Sequence, residues 1–302
     1  MFNLQPYQIG NYFTIEKLNS DTDSEKLYSI YSVKNFNFEI FILILYPKDF
    51  SVENFAKTIQ AYTHLGLDEN PHFLRYISNS NDEMIVREKY IVLEFVEKTL
   101  LKKFLFNAGF FSEKLTKIIV WKIFHAVIDM HEKGIIHCEI SLEAFILDVN
   151  YNFKIFGFEF AEFVQEENEK QIKIKKDLIR LAILIIQLLT GKSELERFEN
   201  KIKSDKIKSD NQKQIQKKQK EKLNYFWTIV KSNNLEKNHV FTKELEDLIN
   251  KMLLGTINDV KELLNLDWFN EVRTSIERNE FEEYEQYMRE QLKKYEEDDF
   301  EI

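Results

Sequence analysis

The chain has 302 residues, 44% of them hydrophobic and 31% charged, with a formal net charge of −9, which suits one or two folded domains with a full apolar core and excludes a wholly disordered chain. The acidic balance argues against a general nucleic-acid binder, and the single cysteine, Cys138, excludes an intrachain disulfide and a cysteine-built zinc site, so a reducing, cytoplasmic setting is expected. The opening MFNLQPYQIG lacks a basic stretch followed by an apolar core, and the longest apolar run, Leu178 to Leu189, is broken by Arg180 and Gln187, so neither a targeting signal nor a membrane span is expected.

In chain order, Tyr12 to Leu45 alternates apolar and polar residues, with Tyr12, Thr14, Leu18, Leu27, Ile30, Val33 and Phe38 leading into the run Ile40 to Leu45; this predicts three strands. Between the first two lies Asn19-Ser20-Asp21-Thr22-Asp23-Ser24, a polar hairpin turn by composition. A helix is expected over Val52 to Leu65, and after Asn70-Pro71-His72 two further strands over Phe73 to Ser78 and Glu88 to Phe95. His72 reads as a turn residue, because no second ligand stands at metal-binding spacing.

Ser112 is a good N-cap for a helix running to Met130, with Leu115, Ile118, Ile119, Ile123, Ala126, Val127 and Met130 on one face and Gly134 ending it. His125 and His131 read as surface or packing residues. Next comes HEKGIIHCEISLEAFILDVNYNFKIFGFEFA, residues 131–161, with the pattern of a short loop, a strand, a turn and a second strand. Beyond the charged stretch Val164 to Lys176, the segment from Asp177 to Leu189 is apolar nearly all round and is stopped by Gly191, as a fully buried helix requires.

The order of elements around residues 131–161 resembles the catalytic loop and metal-binding turn of the protein kinases, where His-Arg-Asp, an Asn five residues after the Asp, and Asp-Phe-Gly carry the chemistry. The resemblance covers about residues 7–270. It implies an α+β, two-lobed protein kinase-like fold: a small β-rich lobe over 1–95, a large helical lobe over 96–270, and an acidic helical tail over 271–302.

Laid on that pattern, His137 matches the His, Cys138 replaces the Arg, Glu139 replaces the Asp base, Ala144 stands for the metal-binding Asn, and Gly157 for the metal-binding Asp. Leu43 falls at the position of the phosphate-gripping lysine, and Thr58 or Gln60 at that of its Glu partner. The turn at 19–24 has none of the glycines that let a backbone approach phosphate, and only nineteen residues separate Gly157 from Asp177, too few for an activation segment. Magnesium wants hard oxygen ligands, which Gly157 and Ala144 lack. Glu159 reads as a solvated turn charge.

These departures imply a catalytically inactive pseudokinase, not an enzyme, holding neither ATP nor metal and serving as a protein-binding scaffold or structural subunit. The alternative is a divergent ATP-binding serine/threonine kinase-like protein using Glu139 and Glu159, or a nucleotide-responsive switch that meets ATP through the hinge backbone of Glu94 and Val96. The resemblance further implies a structural hub of His137, Phe158 and Asp177, with Asp177 satisfying loop N–H groups.

Two segments read as partner-binding. Residues 199–222 form a Lys-rich insertion with nine Lys against three acids from Lys201 to Lys222; acidic tails of the tubulin type, which would mean cytoskeletal association, nucleic acid, anionic lipid and no partner at all are its alternatives. From Glu277 to Glu301 eleven acids oppose four bases, and Phe281, Tyr284, Met288, Leu292 and Tyr295 form a stripe at helical spacing that requires burial, on the chain itself or in a partner groove.

Overall fold

The computed structural model describes residues 8–18, 28–66, 70–82, 88–97, 100–191, 221, 223–228, 230 and 241–295. The glycine-poor turn at 19–24 lies outside these residues, as does the Lys-rich insertion at 199–222 apart from Glu221. Two compact units emerge: Met1–Leu100 with Ala144–Phe163, and Leu101–Glu143 with Val164–Ile302.

The first unit is built on a six-stranded antiparallel sheet in the order β1-β2-β3-β4-β6-β5, with β1 Gln8–Ile9, β2 Tyr12–Lys17, β3 Ser29–Lys34, β4 Ile40–Tyr46, β5 Tyr76–Asn79 and β6 Lys89–Glu94. β-Branched and aromatic residues at every second position suit a pleated, half-buried surface. Ile9, Val33, Leu43, Tyr90 and Val92 make an apolar cluster on one face. Side-chain alternation sends Ile42, Ile44 and Tyr46 to the other face. Full burial of a side chain such as Leu43 stabilises the unit by about 1.5–3 kcal/mol.

Helix α1, Val52–Gly66, buries the stripe Phe55, Thr58, Ala61, Tyr62 and Leu65. Phe55 meets Tyr46 edge-on, ring centroids 5.5 Å apart, which ties the helix to the end of β4. The hairpin of β8 (Phe145–Leu147) and β9 (Phe153–Ile155) goes with this unit although it follows the loop at 137–139 in sequence. Backbone explains why: Phe73 bridges Ile155 in parallel, and Leu100 bridges Ile146.

The second unit is helical: α2 Leu101–Ala108, α3 Glu113–Glu132, α4 Glu167–Thr190, α5 Lys243–Leu254, α6 Val260–Leu263, α7 Asn270–Glu277 and α8 Phe281–Lys294, with the two-residue strand β7, Ile135–Ile136, after α3. Ser112 caps α3 by accepting from the Leu115 N–H at 3.2 Å. Gly191 ends α4 in the left-handed region at φ 69°, where an added Cβ would sit 1.6 Å from the Gly109 carbonyl oxygen. Helix α4 starts ten residues before Asp177, because the charged stretch 167–176 keeps helical geometry on a solvated face and contributes only Ile174 to the interior.

Helix α8 lies on α3 within the same unit. Met288 and Leu292 are fully buried, and Tyr295 stacks on Phe111 with centroids 5.7 Å apart. The Lys114 ammonium sits 5.3 Å above the Tyr284 ring and 4.5 Å above that of Tyr287. Lys122 pairs with Glu285, and the Asn107 side chain donates to the Tyr295 carbonyl at 2.8 Å. Phe281, at the start of the helix, is half-buried. Of the two coverings open to the stripe Phe281, Tyr284, Met288, Leu292 and Tyr295, the chain's own helices take its central side chains, Met288 and Leu292.

Candidate active site

In the second unit, α4 organises the loop at 137–139. Asp177 is fully buried; one carboxylate oxygen accepts from the His137 N–H at 3.0 Å and the other from the Cys138 N–H at 2.8 Å. The His131 Nε2 lies 2.8 Å from the same carboxylate, so His131, 2% exposed, is a bracing residue and not a surface one. Its Nδ1 has no protein partner among the described residues. Cys138 is held at φ 64°, a left-handed conformation that costs a non-glycine residue about 1 kcal/mol or more. Three donors converging on Asp177 outweigh that cost, each charge-assisted bond contributing about 1.5–3 kcal/mol.

Glu139 follows directly. Its N–H donates to His137 Nδ1 at 3.3 Å, and its carboxylate lies 3.4 Å from the Arg180 guanidinium, one helical turn beyond Asp177 on α4. The Glu139 side chain remains 43% exposed.

In the first unit, the turn Phe156-Gly157-Phe158-Glu159 closes on three tyrosines. Gly157 adopts φ 87° and donates its N–H to the Tyr62 hydroxyl at 2.9 Å. A Cβ at position 157 would stand 3.3 Å from the Tyr28 hydroxyl and 3.6 Å from a carboxylate oxygen of Glu159. Phe158 is fully buried, edge-on to Tyr62 at 4.9 Å. Glu159, expected in solvent, is 4% exposed and accepts from the Tyr46 hydroxyl at 2.6 Å. A buried carboxylate is tolerable only when hydrogen-bonded, and Tyr46 supplies that bond.

Burial raises the phenol pKa values of Tyr46 and Tyr62 well above the ordinary range, and the nearby Glu159 charge pushes both the same way. Both hydroxyls therefore stay protonated near neutrality. The position that faces α1 at the end of β4 is held by Tyr46, whereas Leu43 lies in the cluster on the opposite face. On α1, Thr58 is buried with its hydroxyl donating to the Asn54 carbonyl at 2.8 Å, Gln60 is exposed, and Tyr62 is the residue that reaches Gly157. Tyr46 and Tyr62 are the residues that sequence reasoning missed. The available signal was a phenol inside each apolar stripe, which needs a polar partner when buried.

The remaining positions fall into place around these. Ala144 is buried, with its carbonyl accepting from the Phe156 N–H at 3.1 Å. Glu94 at the end of β6 pairs with Lys154 at 2.8 Å, its N–H is taken by the Arg75 carbonyl at 2.9 Å, and Val96 is buried. His137 and Phe158 belong to different units, each anchored within its own.

A magnesium ion held as the kinases hold it does not fit these residues. Position 157 has no side chain and little room for one, Ala144 offers a buried methyl, and among the described residues no group of three or more His, Cys, Asp or Glu is placed to hold a metal. No helix among the described residues is long and apolar enough to cross a membrane.

Residues 53–176 match the model of the protein kinase domain, a span that holds all but the first residue of α1, the loop at 137–139 and the Gly157 turn. Over that span the chain is similar to the protein kinases. Two curated relatives from Arabidopsis thaliana are similar to it: the serine/threonine-protein kinase AtPK2/AtPK19, 27% identical, and the serine/threonine-protein kinase AtPK1/AtPK6, 26% identical, each over 38% of this chain and 28% of the relative. The chain thus spans a little over a quarter of the length of these relatives. With its β-rich and helical units, the chain has an α+β architecture that fits the two-lobed kinase fold.

These matches overturn one expectation. The losses at Leu43, Ala144 and Gly157 pointed away from an enzyme, whereas the family match and the relatives point to one. At the loop, Glu in place of Asp keeps a carboxylate; Asp177 accepts from the backbone N–H groups of His137 and Cys138, and Arg180 lies 3.4 Å from the Glu139 carboxylate.

Proposed function

We propose that the kinase-like chain is a divergent ATP-binding protein that transfers a phosphoryl group to a serine or threonine hydroxyl. The observation that carries this reading is the loop at 137–139, fixed through its backbone by Asp177 and presenting the half-exposed Glu139 at the kinase base position. Glu139 accepts the proton of the acceptor hydroxyl as that oxygen bonds to the γ-phosphorus; the bond from phosphorus to the bridging oxygen breaks, and ADP leaves with its electron pair.

The test is transfer of labelled phosphate from ATP to a generic basic protein, with and without magnesium or manganese, beside thermal shift with ATP. Transfer that falls at least about 100-fold in Glu139→Gln supports the reading. Absence of transfer under every condition refutes it. A thermal shift with ATP alone, without transfer, selects the second reading, a nucleotide-responsive switch binding without metal, which the tightly occupied turn at Gly157 favours.

A further inference from the structure

We infer that Arg180 is a positioning residue for the proposed transfer, holding the Glu139 carboxylate in place; this rests on the reading of Glu139 as the proton acceptor. The starting point is geometric. Glu carries one methylene more than Asp, so its carboxylate reaches farther from the backbone and has one more rotatable bond to be fixed. A displacement of about 1 Å in a catalytic group can cost on the order of 100-fold in rate.

The backbone at this loop is not free to retract and absorb the added length. His137 and Cys138 donate to Asp177 at 3.0 and 2.8 Å, and Cys138 is already held at φ 64°. The side chain must be fixed instead. Asp177 and Arg180 stand three residues apart on α4, so both face the loop one turn from each other. The first fixes the backbone before Glu139, and the second lies 3.4 Å from its carboxylate oxygen.

The two ends of the ion pair are unequally exposed. Arg180 is 15% exposed at its side chain, against 43% for Glu139. The guanidinium is therefore the more enclosed member, seated on α4, and the carboxylate is the more exposed one that it orients. A guanidinium is also permanently charged and presents several donors in a plane, so it can hold one carboxylate oxygen while the other stays open to an acceptor hydroxyl. Arg180 touches no reacting atom in this arrangement; its effect passes through Glu139.

The experiment compares steady-state phosphoryl transfer by the wild-type full chain with Glu139→Gln, Arg180→Met and Arg180→Lys, together with their thermal midpoints. Arg180→Met is expected to lower kcat about 10- to 100-fold while KM for ATP stays within about twofold, and Arg180→Lys to restore part of the rate. A merely structural arginine would lower the thermal midpoint in proportion and would not split kcat from KM. Arg180→Met with wild-type kcat, while Glu139→Gln is inactive, overturns the positioning role and leaves the function reading intact. Unchanged transfer in Glu139→Gln, or no transfer by the wild type, overturns the function reading and the role of Arg180 with it.

Discussion

Replacing Asp177 with alanine removes the acceptor on which the loop at 137–139 depends. The fully buried carboxylate takes the His137 N–H at 3.0 Å, the Cys138 N–H at 2.8 Å and lies 2.8 Å from His131 Nε2. A buried donor left without a partner costs about 1–3 kcal/mol, so the two backbone groups alone place the loss at about 2–6 kcal/mol, with His131 adding to it. The milder Asp177→Asn keeps one carbonyl oxygen and sets an amide N–H against a second donor, for an expected loss of about 1–3 kcal/mol. Urea unfolding followed by a probe in the helical unit gives the stability change, and hydrogen exchange at residues 137 and 138 gives the local one. Both variants should lose protection at these amides, alanine more than asparagine. Asp177→Ala within about 0.5 kcal/mol of wild type, with unchanged protection, would refute the bracing role.

Two further outcomes are expected. Because burial raises the Tyr46 and Tyr62 pKa values in the folded chain, their stabilising contribution is complete below the unfolded value of 10.0 and is lost as pH rises above it. Each phenol then costs about 1.4 kcal/mol per pH unit, and urea midpoints between pH 8 and about 11 should fall less steeply in Tyr46→Phe than in wild type; equal slopes would refute this. Leu292→Ala should destabilise the helical unit by about 2–5 kcal/mol, since this α8 side chain is fully buried. A stability unchanged by that substitution would return the stripe to the role of an exposed partner surface.

Much of the fold was legible in the chain because the signals were local. Ser112 before an apolar stripe of helical period gave the start of α3, and Gly191 gave the end of α4 through its left-handed φ of 69°. Alternation between Tyr12 and Leu45 gave the strands now seen as β2, β3 and β4. The start of α4 was missed, because a charged run with one buried residue has no amphipathic signature strong enough to mark a helix. Helix α2 carried no separate signal in that reading either, being a short element of eight residues.

The site was less legible, and the errors share one cause. Glu159 read as a surface charge because turn glutamates usually are, and only the arrival of Tyr46 from a strand 113 residues earlier makes its burial tolerable. The pairing of Glu139 with Arg180 links residues 41 apart and leaves no periodic trace. The destination of the tail was open in the same way, since a stripe at helical spacing states that a face must be covered and not by what.

The sequence by itself determined the types of residue at the kinase-like positions: a carboxylate at 139, an alanine at 144, a glycine at 157, and the periodicities that build strands and helices around them. Those follow from composition and short-range spacing, where side-chain direction repeats every two or 3.6 residues. Only the tertiary structure decided that Asp177, His131 and Arg180 converge on one loop, that three tyrosines and Glu159 gather at Gly157, and that the C-terminal stripe is covered by α3. The reason is that burial turns each polar group into a demand for a partner, and which distant segment meets that demand is settled by packing.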